Sequence, residues 1–174
     1  MKDRKALLII DMLNDFIQPD GALYIGESAQ KVTGQIQKIL EEERREGTPV
    51  IYICDSHRAD DAEFAMFQPH CVKDTWGGQI VDALAPQAGD YIIYKRRYSA
   101  FFGTDLDATL REMNISELIL VGVCTNICVL YTAADARMLN YKVTVIRNGV
   151  ASFSSEAHEF ALNEIENTLG AKVV

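Results

Sequence analysis

Short aliphatic runs alternate along this chain with longer segments in which apolar residues recur at helical spacing. Continuous apolar runs of this length are typical of strands buried on both faces of a parallel sheet. The predicted strands are residues 6–10, 49–54, 91–94, 118–122, 142–146 and 171–174. The predicted helices are residues 27–46, 106–113, 126–139 and 155–169. The alternation predicts βαβ units joined by right-handed crossovers.

This arrangement predicts an α/β fold with three layers, in which a doubly wound, Rossmann-like and mostly parallel sheet carries helices on both faces. No repeat, low-complexity tract or Ser/Pro-rich linker interrupts the pattern, so we expect a single domain over residues 1–174. Residues 56–78 form a long stretch without a clear period. Long loops in compact domains are often functional, which makes this stretch a candidate part of the site.

Polar or reactive residues follow the predicted strands at the point where each strand ends. Asp11 follows the first strand, Asp55 the second and Lys95 the third, while residues 124–128 follow the fourth and contain two cysteines. Because ligands bind at the carboxyl ends of the strands in such sheets, we expect these groups to lie close together. Taken singly, Asp11 also suits a helix cap and Lys95 a solvated surface charge.

Cys128 falls in the first turn of a predicted helix, where free N–H groups and the helix dipole favour a thiolate. A nearby cation favours the thiolate further, and a carboxylate can take or return its proton. The alternative is that Cys124 and Cys128 are ordinary small core residues, as most free cysteines are. The four cysteines form neither a CxxC pair nor a dense disulfide framework, and the roles of Cys54 and Cys71 stay open.

One carboxylate and two imidazoles flank the unperiodic stretch. Asp55 directly precedes it, His57 lies at its start, and His70 lies in its second half. This ligand set is compatible with zinc, iron or manganese, whereas isolated loop histidines would only make local hydrogen bonds. The third histidine, His158, lies in the last predicted helix, and we interpret it as a solvated or structural residue.

Charge and hydropathy narrow the class of partner. A formal net charge of −8 offers no basic surface for a phosphate backbone, so we expect no nucleic-acid partner. No apolar run approaches the roughly 20 residues that span a bilayer, and the apolar run after the charged start is too short for a signal peptide. We therefore expect a cytoplasmic protein with no membrane association.

Three separated motifs resemble, in the same order, those of the isochorismatase-like cysteine hydrolases. They are IDMLNDF at residues 10–16, KRRYSAF at residues 95–101 and TNICV at residues 125–129. The resemblance covers nearly the whole chain and implies that Cys128 is the nucleophile, Asp11 its base and Lys95 the activating cation. It also implies an oxyanion hole formed by the backbone N–H groups of Cys124 and Cys128, and a cis peptide bond before Cys124.

The Asp-x-His and Pro-His units resemble the metal site of nicotinamidases within this family. That resemblance implies one divalent ion, zinc in the first place with iron or manganese as alternatives, held by Asp55, His57 and His70. Glu63 is a further candidate ligand. In those enzymes the metal binds the pyridine nitrogen of the substrate, and Phe16, with Tyr98 as a second candidate, would contact the substrate ring.

The resemblance implies an amidohydrolase that converts nicotinamide to nicotinate and ammonia through a thioester, with pyrazinamide as a second substrate. It also implies a homo-oligomer, since relatives commonly associate. One alternative is a metal-free hydrolase of the same family that acts on another small amide, carbamoyl or ureido compound. Another is a non-catalytic binding module that keeps the fold. A vinyl-ether-cleaving isochorismatase fits less well, because such enzymes do not need a cysteine at position 128.

Overall fold

A computed structural model describes residues 4–174 and contains a six-stranded sheet. Its strands are β1 Lys5–Ile10, β2 Val50–Asp55, β3 Tyr91–Lys95, β4 Glu117–Val123, β5 Lys142–Ala151 and β6 Lys172–Val173. Their spatial order is β3-β2-β1-β4-β5-β6, and every neighbouring pair in it is parallel. The order therefore reverses between β1 and β4, which is where a doubly wound sheet opens a crevice for a ligand.

Helices cover both faces of the sheet and create two separate apolar cores. The helices are α1 Asn14–Ile17, α2 Ser28–Arg45, α3 Leu106–Glu112, α4 Leu130–Met138 and α5 Ser155–Asn163. Helices α1 and α2 bury apolar side chains against one face, while α3, α4 and α5 do so against the other. The predicted three-layer α/β fold is confirmed.

The differences from the predicted elements are local. Strand β5 continues to Ala151, beyond the predicted end at residue 146, and the register between β4 and β5 shifts between Leu120 and Gly122. A Cβ at Gly122 would lie 2.0 Å from the carbonyl oxygen of Ile10, and its φ of +118° lies in the region that favours glycine. Gly122 thus lets β4 approach β1 directly behind Asp11.

Two predicted helices each contain a π-helical turn at one end. The predicted helix 126–139 begins as a π-helical turn, Thr125–Val129, and the predicted helix 155–169 ends as another, Glu164–Thr168. Within the stretch 56–78, the structure shows the 3-10 turns Ala62–Ala65 and Trp76–Gly78. The short helix α1 was not predicted. No helix among residues 4–174 is both long and apolar enough to cross a bilayer.

Candidate active site

Asp11 lies immediately after β1, at the switch point of the sheet. Its backbone is in the left-handed region with a φ of +52°, and its side chain is completely buried. Its Oδ1 accepts a hydrogen bond of 2.8 Å from the backbone N–H of Asp55, at the end of the neighbouring strand β2. The bend after Ile10 and this bond fix the carboxylate at the carboxyl edge of the sheet.

Lys95 ends the edge strand β3, yet only 1% of it is exposed. Its Nζ lies 2.8 Å from Asp11 Oδ2 and 3.4 Å from Cys128 Sγ, and it also donates to Asp55 Oδ1. A buried ammonium is stable only when it is paired in this way. The two carboxylates therefore hold Lys95 beside the cysteine.

Cys128 lies in the π-helical turn that follows β4, and it is buried. The Val123–Cys124 peptide bond that leads into this turn is cis, as the resemblance implied. Cys128 Sγ lies within 4.8 Å of carboxylate oxygens of both Asp11 and Asp55. The structure thus brings together the three residues predicted as a catalytic set.

The charges in this group influence one another strongly. Burial, and next the negative charge of Asp55, raise the pKa of Asp11 to about 6, while Lys95 acts in the opposite direction. Burial disfavours the ammonium of Lys95, but Asp11 and Asp55 outweigh it and raise the pKa of Lys95 well above its ordinary value. The ammonium is therefore permanently charged at neutral pH.

The resting protonation of the cysteine differs from the sequence-based expectation. Burial raises the pKa of the Cys128 thiol well above its ordinary value, and the opposing effect of Lys95 does not compensate for it. The free site therefore favours a thiol beside a carboxylate that is ionised at neutral pH. In this arrangement Asp11 can take the proton when the sulfur attacks.

A second buried set of groups shares Asp55 with the first. Asp55 Oδ2 lies 3.5 Å from His57 Nε2 and 3.8 Å from His70 Nε2, and one ligand atom from each of the three residues lies within 4.8 Å of the others. Among residues 4–174, His57 Nε2 has no hydrogen-bond partner, although it is buried. A buried nitrogen without a partner beside a carboxylate fits a divalent metal ion.

Asp61 lies beside His57 Nδ1, and this contact was not predicted from the sequence. Its side chain is fully buried, with Oδ2 at 3.3 Å from His57 Nδ1 and 2.9 Å from Arg96 Nη2. Burial disfavours the charge on Asp61, but the N–H of Glu63 and the arginine hold its pKa well below the ordinary range. A carboxylate in this position orients a metal-binding imidazole.

Glu63, the further candidate ligand, is buried next to this set but is not part of it. The group of ligand atoms within 4.8 Å of one another, found among the described residues, consists of Asp55, His57 and His70. Glu63 Oε2 lies 3.8 Å from Arg97 Nη1, and burial raises the pKa of Glu63. Its role as a ligand stays a prediction.

A narrow pocket joins Cys128 to His70. Both residues predicted to contact a ring, Phe16 and Tyr98, line it together with Cys124 and Cys128. The other lining residues are Leu23, Asp55, Glu63, Phe67, His70, Ile127 and Phe153. The wall of the pocket is therefore mainly aromatic and aliphatic, which suits a flat apolar ring that carries a few polar atoms.

The isochorismatase domain family matches residues 5–174. The chain belongs to the isochorismatase family. It is similar in structure to the nicotinamidase/pyrazinamidase PncA from Bacillus subtilis, with a TM-score of 0.93 and 40% identity over 98% of this chain and 99% of that chain. The resemblance inferred from the three sequence motifs is confirmed.

Two further solved structures show the range of neighbours of this isochorismatase-family hydrolase. N-carbamoylsarcosine amidase from Thermoplasma acidophilum has a TM-score of 0.89 and 37% identity, over 98% of this chain and 95% of that chain. The pyrazinamidase of Pyrococcus horikoshii, solved in complex with zinc, has a TM-score of 0.91 and 30% identity, over 98% of each chain. The neighbours thus include enzymes named for ring amides and one named for a carbamoyl compound.

The sequence did not indicate where the aromatic wall of this isochorismatase-family site comes from. In the structure, the rings of Phe64 and Phe67 lie 5.6 and 6.1 Å from that of His70, and Phe153 comes from the segment after β5. The sequence showed only that these residues are apolar. It could not predict that they lie at the site, because their positions depend on how the loops fold.

His158 contacts the turn that carries Cys128, which agrees with a structural role, one of the two roles considered for it from the sequence. Its Nδ1 lies 2.8 Å from the hydroxyl oxygen of Thr125, in the turn that carries Cys128. Burial lowers the pKa of His158, which favours the neutral ring. All four cysteines lie within the described residues, where each is buried and free of disulfides. Cys54 and Cys71 belong to the apolar core on the face of the sheet that α1 and α2 cover.

Proposed function

We propose that this isochorismatase-family hydrolase is a metal-assisted cysteine amidohydrolase that converts nicotinamide to nicotinate and ammonia. One observation carries the proposal, namely the shared carboxylate of Asp55. Its Oδ1 accepts a hydrogen bond from Lys95 beside Cys128, and its Oδ2 faces His57 and His70. The nucleophile and the metal-binding groups are therefore only a few ångströms apart, which suits a compact ring with an amide on one side and a nitrogen acceptor on the other.

The reaction begins at Cys128. Its thiol passes a proton to Asp11 as the sulfur attacks the carboxamide carbon, and the carbonyl oxygen becomes an oxyanion. The backbone N–H groups of Cys124 and Cys128 bind this oxyanion, and Lys95 stabilises the negative charge around it. Asp11 then gives its proton to the amide nitrogen, the C–N bond breaks, and ammonia leaves a thioester on Cys128.

Water completes the cycle. Asp11, again ionised, takes a proton from a water molecule, whose oxygen attacks the thioester carbon. The C–S bond then breaks and the sulfur regains a proton from Asp11. The acid product loses its carboxyl proton to water and leaves as nicotinate. Lys95 remains charged throughout, since it is held between Asp11 and Asp55.

Asp55, His57 and His70 would hold one divalent ion, for which we propose zinc, with Glu63 as a further ligand. The ion would act as a Lewis acid for the pyridine nitrogen and so orient the ring. A zinc complex of a neighbour at 30% identity supports the choice of metal. Phe16 and Tyr98 would contact the faces and edge of the ring, because both line the pocket.

The test is ammonia release from nicotinamide by the purified protein. We expect turnover of nicotinamide and pyrazinamide, a loss of about 100-fold or more after a chelator removes the metal, and recovery when zinc is added back. The matched substrate is N-carbamoylsarcosine, since a structural neighbour is named for it. Chelator-insensitive turnover of that compound, with no release from nicotinamide, would establish the metal-free alternative instead.

The rate should depend on pH through Asp11. The base accepts a proton only when ionised, and the pKa of Asp11 is raised to about 6. We therefore expect kcat/KM to be constant above about pH 7 and to fall up to tenfold per unit below pH 6. Because protons compete with a metal ion for its ligands in acid, zinc content is measured in each sample. A rate that stays constant down to pH 5 with zinc bound would show that no base with a raised pKa limits the reaction, contrary to this prediction.

A further inference from the structure

Asp15 is a buried carboxylate that the proposed mechanism does not use. It belongs to α1, directly before Phe16, and only 8% of it is exposed. Its Oδ2 accepts a hydrogen bond of 2.7 Å from the backbone N–H of Cys71, and its Oδ1 accepts one of 3.0 Å from the backbone N–H of Ala22. A single side chain thus ties two separate loops to the start of α1.

Each loop carries a residue of the site next to its hydrogen-bonded N–H. Cys71 follows His70, one of the three metal-binding groups, and Ala22 precedes Leu23, which lines the pocket. Leu23 is held again by its own N–H, which donates to the carbonyl oxygen of Asp15 at 2.9 Å. The metal site and the pocket wall therefore share this anchor, in addition to the hydrogen bond that Gln68 Nε2 donates to the carbonyl oxygen of Ala22.

The surroundings of Asp15 leave its carboxylate little room to move. A Cβ at Gly77 would lie 2.0 Å from Asp15 Oδ2, so the turn that contains Gly77 packs directly on the carboxylate. Cys71 has a φ of +43°, a left-handed conformation that is uncommon for a non-glycine residue. Such a conformation persists when neighbouring contacts over-determine it, and the bond to Asp15 is one such contact.

We infer that Asp15 is a positioning residue that sets both metal affinity at His70 and the fit of the substrate against Phe16 and Leu23. It touches neither the metal nor the substrate and acts through the two loops. The part that concerns substrate fit rests on the proposed function, whereas the part that concerns metal affinity rests only on the site formed by Asp55, His57 and His70.

The replacement Asp15→Asn tests the inference with little change in shape. An ionised carboxylate accepts both N–H groups, but the amide offers one oxygen and one NH₂ group, which cannot accept. One loop therefore loses its bond. We expect the zinc dissociation constant, measured by competition with a chromogenic chelator, to rise about tenfold or more. At saturating zinc, KM for nicotinamide should rise while kcat changes by less than about threefold.

Asp90→Asn is the matched control. Asp90 is also a largely buried carboxylate that accepts a backbone N–H, from Gln87 at 2.8 Å, and it pairs with Arg44. It directly precedes β3 and lies at the amino ends of the strands, whereas the site lies at their carboxyl ends. We expect this variant to melt at a lower temperature with an unchanged zinc dissociation constant and KM. If Asp15→Asn behaves in the same way, Asp15 is only structural and the inference is wrong.

The unmodified protein provides a second measurement, which also covers an Asp15→Asn variant that fails to fold. If Asp15 couples the two loops, zinc bound at His70 must slow hydrogen exchange at the Ala22 amide, by about fivefold or more. The Gln87 amide, bonded to Asp90, should not change. If zinc does not change the hydrogen-exchange rate of the Ala22 amide, the inference is wrong. Absence of nicotinamide turnover would refute the proposed function, while both zinc measurements would still decide the role of Asp15.

Discussion

Replacing Cys128 with alanine should lower kcat/KM for nicotinamide by about 10⁴-fold or more. In the proposed mechanism the sulfur of Cys128 forms the thioester. Neither Asp11 nor Lys95 can replace it as a nucleophile, because Asp11 is the proposed base and Lys95 is held as a cation. Ammonia release is the measurement. Zinc binding and the melting temperature, determined on the same preparation, should stay close to those of the unmodified protein.

Cys124→Ala is the control for this experiment. Cys124 lies four positions earlier, is similarly buried and lines the same pocket, and burial raises its pKa to about 12. In the proposed mechanism it contributes only its backbone N–H, which alanine retains, so we expect activity within about tenfold of the unmodified protein. The opposite pattern, with Cys124→Ala inactive and Cys128→Ala active, would assign the nucleophile to Cys124.

The sequence was sufficient to predict which groups meet at the edge of the sheet. Asp11, Asp55 and Lys95 each follow a short apolar run, and parallel strands place such positions on one edge. Lys95 illustrates how far this reasoning extends. A lysine at the end of an edge strand is ordinarily solvated, but here two carboxylates enclose it, one directly after β1 and one at the end of β2.

Features that depend on tertiary packing could not be predicted in this way. Asp61 lies in a stretch without a period, and its contact with His57 exists only because that stretch folds back on β2. The contact between Thr125 and His158 joins two elements that are far apart in sequence. The raised pKa of Cys128 is a consequence of burial, which a position in the first turn of a helix does not reveal.

Replacing Lys95 with methionine should affect both activity and stability. Methionine has a similar length but no charge, so Asp11 and Asp55 would remain buried without their cation. Leaving buried charges without a partner costs about 3–5 kcal/mol of unfolding free energy, and loss of the cation beside Cys128 should lower kcat by about 10³-fold. Chemical denaturation of metal-free protein and ammonia release by zinc-loaded protein are the two measurements.

The pH dependence separates this effect from simple loss of packing. Without Lys95, the pKa of Asp11 should rise further, because Lys95 is the main group that now lowers it. The folded variant would then bind more protons than the unfolded chain between about pH 4 and neutrality, so its stability should increase as the pH falls. The loss of stability relative to the unmodified protein should therefore be smaller at pH 5 than at pH 7.

Lys5→Met is the matched control, because Lys5 also bridges two carboxylates, at 2.8 Å from Glu43 and 2.7 Å from Glu46. Lys5 is the first residue of β1 and lies at the amino ends of the strands, whereas the site lies at their carboxyl ends. Its side chain is 33% exposed. Water screens an ion pair of this kind, so we expect a loss of less than about 1 kcal/mol and unchanged activity. If Lys95→Met destabilises the protein equally at pH 5 and pH 7, the carboxylates do not depend on Lys95 for their charge. The proposed role of its ammonium beside Cys128 would then be wrong.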